Sequence, residues 1–153
     1  MHIHHSSFEN HALHRSHTRP ASGDGLHPLA IKRARDPAAA EDGVRVLIDR
    51  LWPRGLSKDK VAIDLWLREA APSGELRRWF RHDPHRWPSF AEKYRQELAR
   101  RIDVLEVLDR LRQRGRVTLV YDAADRAHNN AVVLREVLDE RFWLRHPRGT
   151  AKP

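Results

Sequence analysis

Two short stretches hold side chains whose types and spacing could do chemistry together. The first, VRVLIDRLWPRG, begins apolar and then delivers Asp49, Arg50, Trp52 and Arg54 before Pro and Gly interrupt it. The second, VYDAADRAHNNA, carries Tyr121, Asp122, Asp125, His128, Asn129 and Asn130. Guanidinium groups offer planar paired donors that match phosphate and carboxylate, and carboxylates or imidazoles move protons. The chemistry in view is therefore anion binding with an acid–base group beside it. Asp49, Asp122 and His82, from the turn HDPHRW, are the candidate catalytic groups. Lys32, Arg33, Arg50, Trp52, Arg54, Tyr121, His128 and Asn129 are the candidate ligand-binding groups. Asp122, at a strand end beside the arginines, is expected to have its charged form favoured, which suits a base or an electrostatic stabiliser better than an acid.

Plainer roles compete for the same residues. Trp52 suits a core position or a lid on a sheet edge better than a stacking platform. Asn129 suits a helix cap. His128 is a lone loop histidine. Asp83 suits a cap, with His82 merely its neighbour.

These side chains need elements to position them. PLAIKRA (28–34), VRVLIDRLW (44–52) and RVTLVYD (116–122) read as strands, the second apolar enough to be central. VAIDLWLREAAP (61–72) fits a strand by its alternating Ile63, Leu65 and Leu67, or a helical turn. Ser73 caps a short helix, GELRRWF, with Leu76, Trp79 and Phe80 on one face. FAEKYRQELARR is helical, with Phe90, Tyr94 and Leu98 spaced by four, and Pro88 argues against an earlier start. Asp103 is the expected cap of VLEVLDRLRQR, which Gly115 stops; Asn129 or Asn130 opens NNAVVLREVLDERF. Strands separated by helices predict an α/β fold. We expect a single small domain with a mostly parallel sheet of about three to five strands flanked by helices, Rossmann-like and three-layered. In such sheets ligands bind beyond the carboxyl ends of the strands, and both clusters fall there. The first turn of the last helix would turn its free N–H groups toward the same space.

The domain is expected over residues 28–142, with a disordered His-rich tail over 1–27 and a loose tail over 143–153. The leading tail holds seven of the eleven histidines, and its Arg15 and Arg19 balance Glu9 and Asp24. The formal charge of +8 therefore belongs to the remainder. Histidine tracts bind metals adventitiously, and without a carboxylate or thiolate partner this one predicts no metal site. No particular cofactor is indicated. The absence of cysteine rules out disulfides, thiolate metal sites and a cysteine nucleophile. No apolar run approaches the ~20 residues of a membrane span, and no signal peptide is visible, so a cytoplasmic protein with no membrane partner is expected. The basic balance, with a pI near 10.7, points to an anionic small molecule or to nucleic acid. Arginine-rich composition from a GC-rich genome explains it equally well. A helix carrying Arg100, Arg101, Arg110, Arg112 and Arg114 is the candidate nucleic-acid stripe. Glu97, Asp103, Glu106 and Asp109 intersperse it as a solvated, paired face would. A non-catalytic protein that binds a partner fits the same residues.

IKRARDPAAAEDGVRVLIDRLWPRGLSKDK, IDLWLREAAPSGELRRWFRHDPHRWPSF and VTLVYDAADRAHNNAVVLREVL together resemble domain-of-unknown-function family 488, specifically its YeaO-like bacterial group. The resemblance spans roughly Leu29 to Leu138. It implies a small single-domain α/β protein with no established activity. Members usually read YSAKD after the last strand and NHA at the following helix start. Asp122, Ala124 and Asn130 stand here at the Ser, Lys and His positions, and Arg35 stands where a Tyr is usual. The resemblance thus implies that a lysine able to hold an anion and a histidine able to move a proton are both missing, with Arg35 and His128 as the nearest substitutes.

Overall fold

In a computed structural model of the protein the described residues are 27–147. Residues 1–26 of the expected tail over 1–27, and residues 148–153, lie outside them. Strands β1 (Leu29–Arg33), β2 (Val44–Leu47), β3 (Leu65–Trp66) and β4 (Val117–Tyr121) form one sheet in the order β1-β4-β2-β3. Every pairing is parallel. β4 is buried along its whole length, as a strand covered on both faces must be.

The alternation of side chains sorts the sheet into two faces. Val46, Ile48, Val117, Leu119 and Tyr121 point into the main core. Helices α2 (Gly74–Phe80), α3 (Trp87–Ala99), α4 (Ile102–Arg114) and α5 (Asn130–Arg145) contribute the rest of that core, including Phe90, Tyr94, Leu108 and Leu134. Each fully buried aliphatic side chain there contributes about 1.5–3 kcal/mol. Leu47 and Val120 point the other way. The loop after β2 and the one-turn helix α1 (Lys58–Val61) cover them with Trp52, Leu56, Val61, Ile63 and Trp66. The sheet is therefore the middle of three layers, the second helical layer being thin.

The rest of that second face is polar. Asp42 accepts from the Ala39 N–H at 2.9 Å, from Lys32 Nζ at 3.1 Å and from Arg45 at 2.7 Å. Arg45, itself buried, also donates to the Val61 carbonyl at 2.7 Å. Burial opposes the Asp42 charge, but these donors outweigh it and hold its carboxyl below the usual range.

Several boundaries differ from expectation. β2 ends at Leu47 rather than Trp52, although Ile48 N–H still pairs with the Val120 carbonyl at 3.1 Å. Residues 61–72 resolve into the end of α1, the two-residue β3 and a 3-10 turn at Arg68–Ala70. α3 starts at Trp87, before the expected Phe90, because Pro88 falls in the first turn, where a missing N–H costs nothing. Asp103 does not cap α4. It lies inside the first turn, where its charge favours the helix dipole, and Arg101 occupies the cap position. α5 runs on to Arg145, so residues 143–145 are helical rather than part of a loose tail.

Candidate functional site

Because β2 and β4 are parallel neighbours, their carboxyl ends open at the same place. Asp49 ties them together there. One oxygen accepts the Asp122 N–H at 3.0 Å, and the other accepts the Asn130 amide at 2.9 Å. The same amide reaches the Ile48 carbonyl at 3.3 Å. Burial pushes the Asp49 carboxyl up. The bonds from Asn130 and Asp122 oppose the shift, the Asp122 charge adds to it, and Arg77 opposes it.

Asp122 is matched by Arg35. The guanidinium meets its two oxygens at 3.0 and 3.3 Å and also donates to the Arg54 carbonyl at 3.0 Å. Arg33 reaches the Asp122 carbonyl at 3.4 Å. Asp125 builds the turn before α5. It accepts from the N–H groups of Ala127 and His128 at 2.9 and 3.0 Å and pairs with His128 Nδ1 at 3.0 Å. The His128 bond, first among these, lowers its carboxyl pKa. Asn129 caps α5 through Val132 N–H at 3.2 Å, and its own amide donates to the Asp125 carbonyl at 2.9 Å.

These groups border a cavity of about 640 Å³. Of the sequence candidates, Asp49, Arg50, Trp52, Arg54, His82, Asp122, His128 and Asn129 line it. Three do not. Lys32 projects from the opposite face of the sheet, one residue out of phase with Arg33, and binds Asp42. Arg33 stops at the Asp122 backbone. Tyr121 is buried in the main core, where desolvation raises its hydroxyl pKa while Arg126 and Arg33 oppose the shift. Trp52 takes the plainer role. Its indole N–H binds the Leu56 carbonyl at 2.8 Å, and its ring meets Trp66 edge-on at 5.4 Å, which fixes the loop over the second face.

The cavity also has parts the sequence candidates omit. Arg77 lines it from α2, and Phe80 and Phe90 supply an apolar wall. The helical period of α2 could have found Arg77, since Leu76 and Phe80 define the buried stripe and Arg77 flanks it. The Ala71–Pro72 wall is pinned from α3 and the residue ahead of α4. Arg101 donates to the Glu69 and Ala71 carbonyls at 2.6 and 2.7 Å, and Tyr94 to the Ala70 carbonyl. Glu97 accepts the Ser73 N–H at 2.9 Å and hydroxyl at 2.6 Å, while Ser73 caps α2 through Leu76.

The candidate nucleic-acid stripe is largely dismantled, and Arg100 and Arg101 lie in the turn between α3 and α4 rather than on one helix with the other three. Arg112 is buried against Asp139 at 2.7 Å and the His27 carbonyl at 2.8 Å. Arg101 holds the cavity wall, and Arg110 faces Glu106 at 3.9 Å. Arg100 and Arg114 alone of the five stay exposed without a partner among the described residues. No helix among the described residues is long and apolar enough to cross a membrane.

Residues 28–152 match the family described as the inactive DUF488-N3 subclade. The uncharacterized protein YeaO of Escherichia coli K12 is 40% identical over 117 residues, which cover 76% of this chain and 96% of that protein. Uncharacterized proteins of Mycobacterium bovis and Mycobacterium tuberculosis are each 38% identical over 113 residues, 74% of this chain and 95% of theirs. No solved structure matches.

Proposed function

We propose that this chain, which belongs to the inactive DUF488-N3 subclade, binds an anionic, phosphate-like small molecule in the cavity at the carboxyl edge of its sheet. The observation that carries this reading is an imbalance of partners. Arg50, Arg54 and Arg77 line the cavity with no ion pair or side-chain hydrogen bond among the described residues, Arg77 reaching Asp49 only through its charge. The acids beside them are engaged: Asp122 by Arg35 and Asp125 by His128. Asp49 is bonded through both oxygens. The surplus positive charge therefore faces the cavity. Guanidinium groups bind phosphate through paired, charge-assisted donors, and the start of α5 adds its positive dipole end.

Binding is favoured over turnover for a reason internal to the site. Asn130 holds Asp49, and an amide transfers no proton at ordinary pH. A histidine in that position would have given the carboxylate a proton-carrying partner.

The test is calorimetric titration and thermal shift with inorganic phosphate, sugar phosphates and nucleotides. A ligand at a hundredfold its Kd adds about 2.7 kcal/mol to stability. Arg50→Ala and Arg77→Ala should each weaken the binding. If no anion stabilises the protein, or both variants bind as the parent does, the reading fails.

A further inference from the structure

The cavity has a second character that anion binding leaves unused. An aromatic row runs along one side of it. His128 meets Trp87 edge-on with ring centres 5.0 Å apart, Trp87 stacks on Phe90 at 5.5 Å, Phe90 on Phe80 at 4.3 Å, and Phe80 meets His82 at 5.8 Å. Phe80 and Phe90 in the middle of the row are buried core, Trp87 is half-buried, and both ends are imidazoles that line the cavity.

One end is held there against backbone preference. Arg81 and His82 both adopt left-handed φ, at 51° and 54°. Arg81 is explained by the end of α2, since its N–H closes the last turn on the Arg77 carbonyl at 3.1 Å. His82 continues that exit, because the Asp83 N–H turns back to the Phe80 carbonyl at 3.0 Å across Arg81 and His82. A second consecutive left-handed residue with a Cβ costs roughly 1–2 kcal/mol, and the turn that holds it brings His82 to the cavity edge. The other end is fixed by Asp125, which grips Nδ1 of His128 and leaves the rest of the ring beside the cavity.

We infer that the ligand carries a planar ring of nucleobase size beside its anion, seated against the imidazoles of His82 and His128. Arg50, Arg54 and Arg77 take the anion. The inference rests on the anion reading above and adds the chemical class. Flat rings stack on aromatic faces without needing matched hydrogen bonds, and each such contact changes affinity about fivefold or more. A cavity of about 640 Å³ has room for a mononucleotide.

Calorimetry on the full chain with adenosine monophosphate, uridine monophosphate, ribose 5-phosphate and inorganic phosphate tests it. At least one nucleotide should bind about fivefold or more tighter than ribose 5-phosphate. His82→Gly and His128→Ala should remove most of that advantage, read within each variant as the ratio of nucleotide to ribose 5-phosphate affinity, since His128→Ala also frees Asp125 beside the cavity and lowers both affinities alike. His128→Phe, which keeps a ring, should retain it. His82→Gly also checks folding, because glycine relieves the left-handed strain, so its melting temperature should hold or rise while the advantage falls. Equal binding of ribose 5-phosphate and the nucleotides overturns the ring and leaves the anion site standing. So does an advantage that survives both His82→Gly and His128→Ala. If none of the four ligands binds, both readings fall.

Discussion

Asp49 sits where two opposing demands meet. Its oxygens accept two hydrogen bonds that favour the charged form, yet burial raises its pKa above the ordinary aspartate value. A carboxyl whose pKa is higher folded than unfolded binds protons more readily in the native state. Its contribution to stability is therefore complete below the unfolded pKa and is lost as pH rises through the folded one. Asp49→Asn removes that titration and one acceptor. The variant should be less stable than the parent at low pH, by about 1–3 kcal/mol for the mismatched bond, and the gap should narrow as pH rises through the acidic range. Urea unfolding of both proteins at several pH values measures it; a gap that is flat or widens with pH contradicts the raised pKa. The sequence showed this residue at the right strand end, because an apolar run ending in Asp and Arg is a local pattern. It did not show what Asp122 does. Its partner Arg35 lies at the end of a different strand, and nothing in the chain says which of many arginines will face which acid. Tyr121 and Lys32 went astray for a related reason. Both stand at strand ends, but side-chain alternation sends Tyr121 into the core and Lys32 to the far face.

At the scale of elements, the stop before β2 is as constrained as the site. Gly43 has φ +71°, and a Cβ added there would lie 2.1 Å from the Arg116 carbonyl oxygen. That carbonyl accepts the Val44 N–H at 2.9 Å, the bond that sets β2 in register with the chain entering β4. Gly43→Ala must shift the first ladder bond or strain the backbone, so it should cost about 3 kcal/mol or more. Chemical denaturation gives the value directly, and a loss under about 1 kcal/mol, the ordinary glycine-to-alanine scale, would mean the close approach relaxes freely. The Asp-Gly pair at this stop is a local turn signal. Ser73 and Asn129 were readable as caps for the same reason, and both bond the expected N–H groups. Asp103 was not, because an acid serves equally well as a cap or within the first turn, and only backbone geometry decides between them. The two-residue β3 was ambiguous in the chain. It is held by Leu67 N–H on the Leu47 carbonyl and Asp64 N–H on the Arg45 carbonyl, contacts that depend on where β2 lies.

For the whole molecule, the question is what a formal charge of +8 does. Composition alone made nucleic acid a natural partner, but composition counts arginines without their neighbours. In the fold, Arg45 and Arg112 are buried, Arg35 and Arg126 hold acids at the sheet edge, and Arg95 and Arg141 link α3 and α4 to α5. Charges already paired release no counterions when a polyanion arrives, so the salt dependence of binding should count only the free ones. If the cavity's Arg50, Arg54 and Arg77 are what an oligonucleotide meets, the slope of log affinity against log salt should be shallow, about −2 for single strands. The same variants that weaken phosphate binding should then abolish it. Fluorescence anisotropy with a short single strand between low and physiological salt separates the cases. A slope steeper than about −5 that collapses in an Arg100→Glu, Arg114→Glu variant would restore a nucleic-acid surface along α4 and the turn before it. A shallow slope indifferent to that variant places the affinity in the cavity, where an oligonucleotide competes as a terminal phosphate rather than as a polymer.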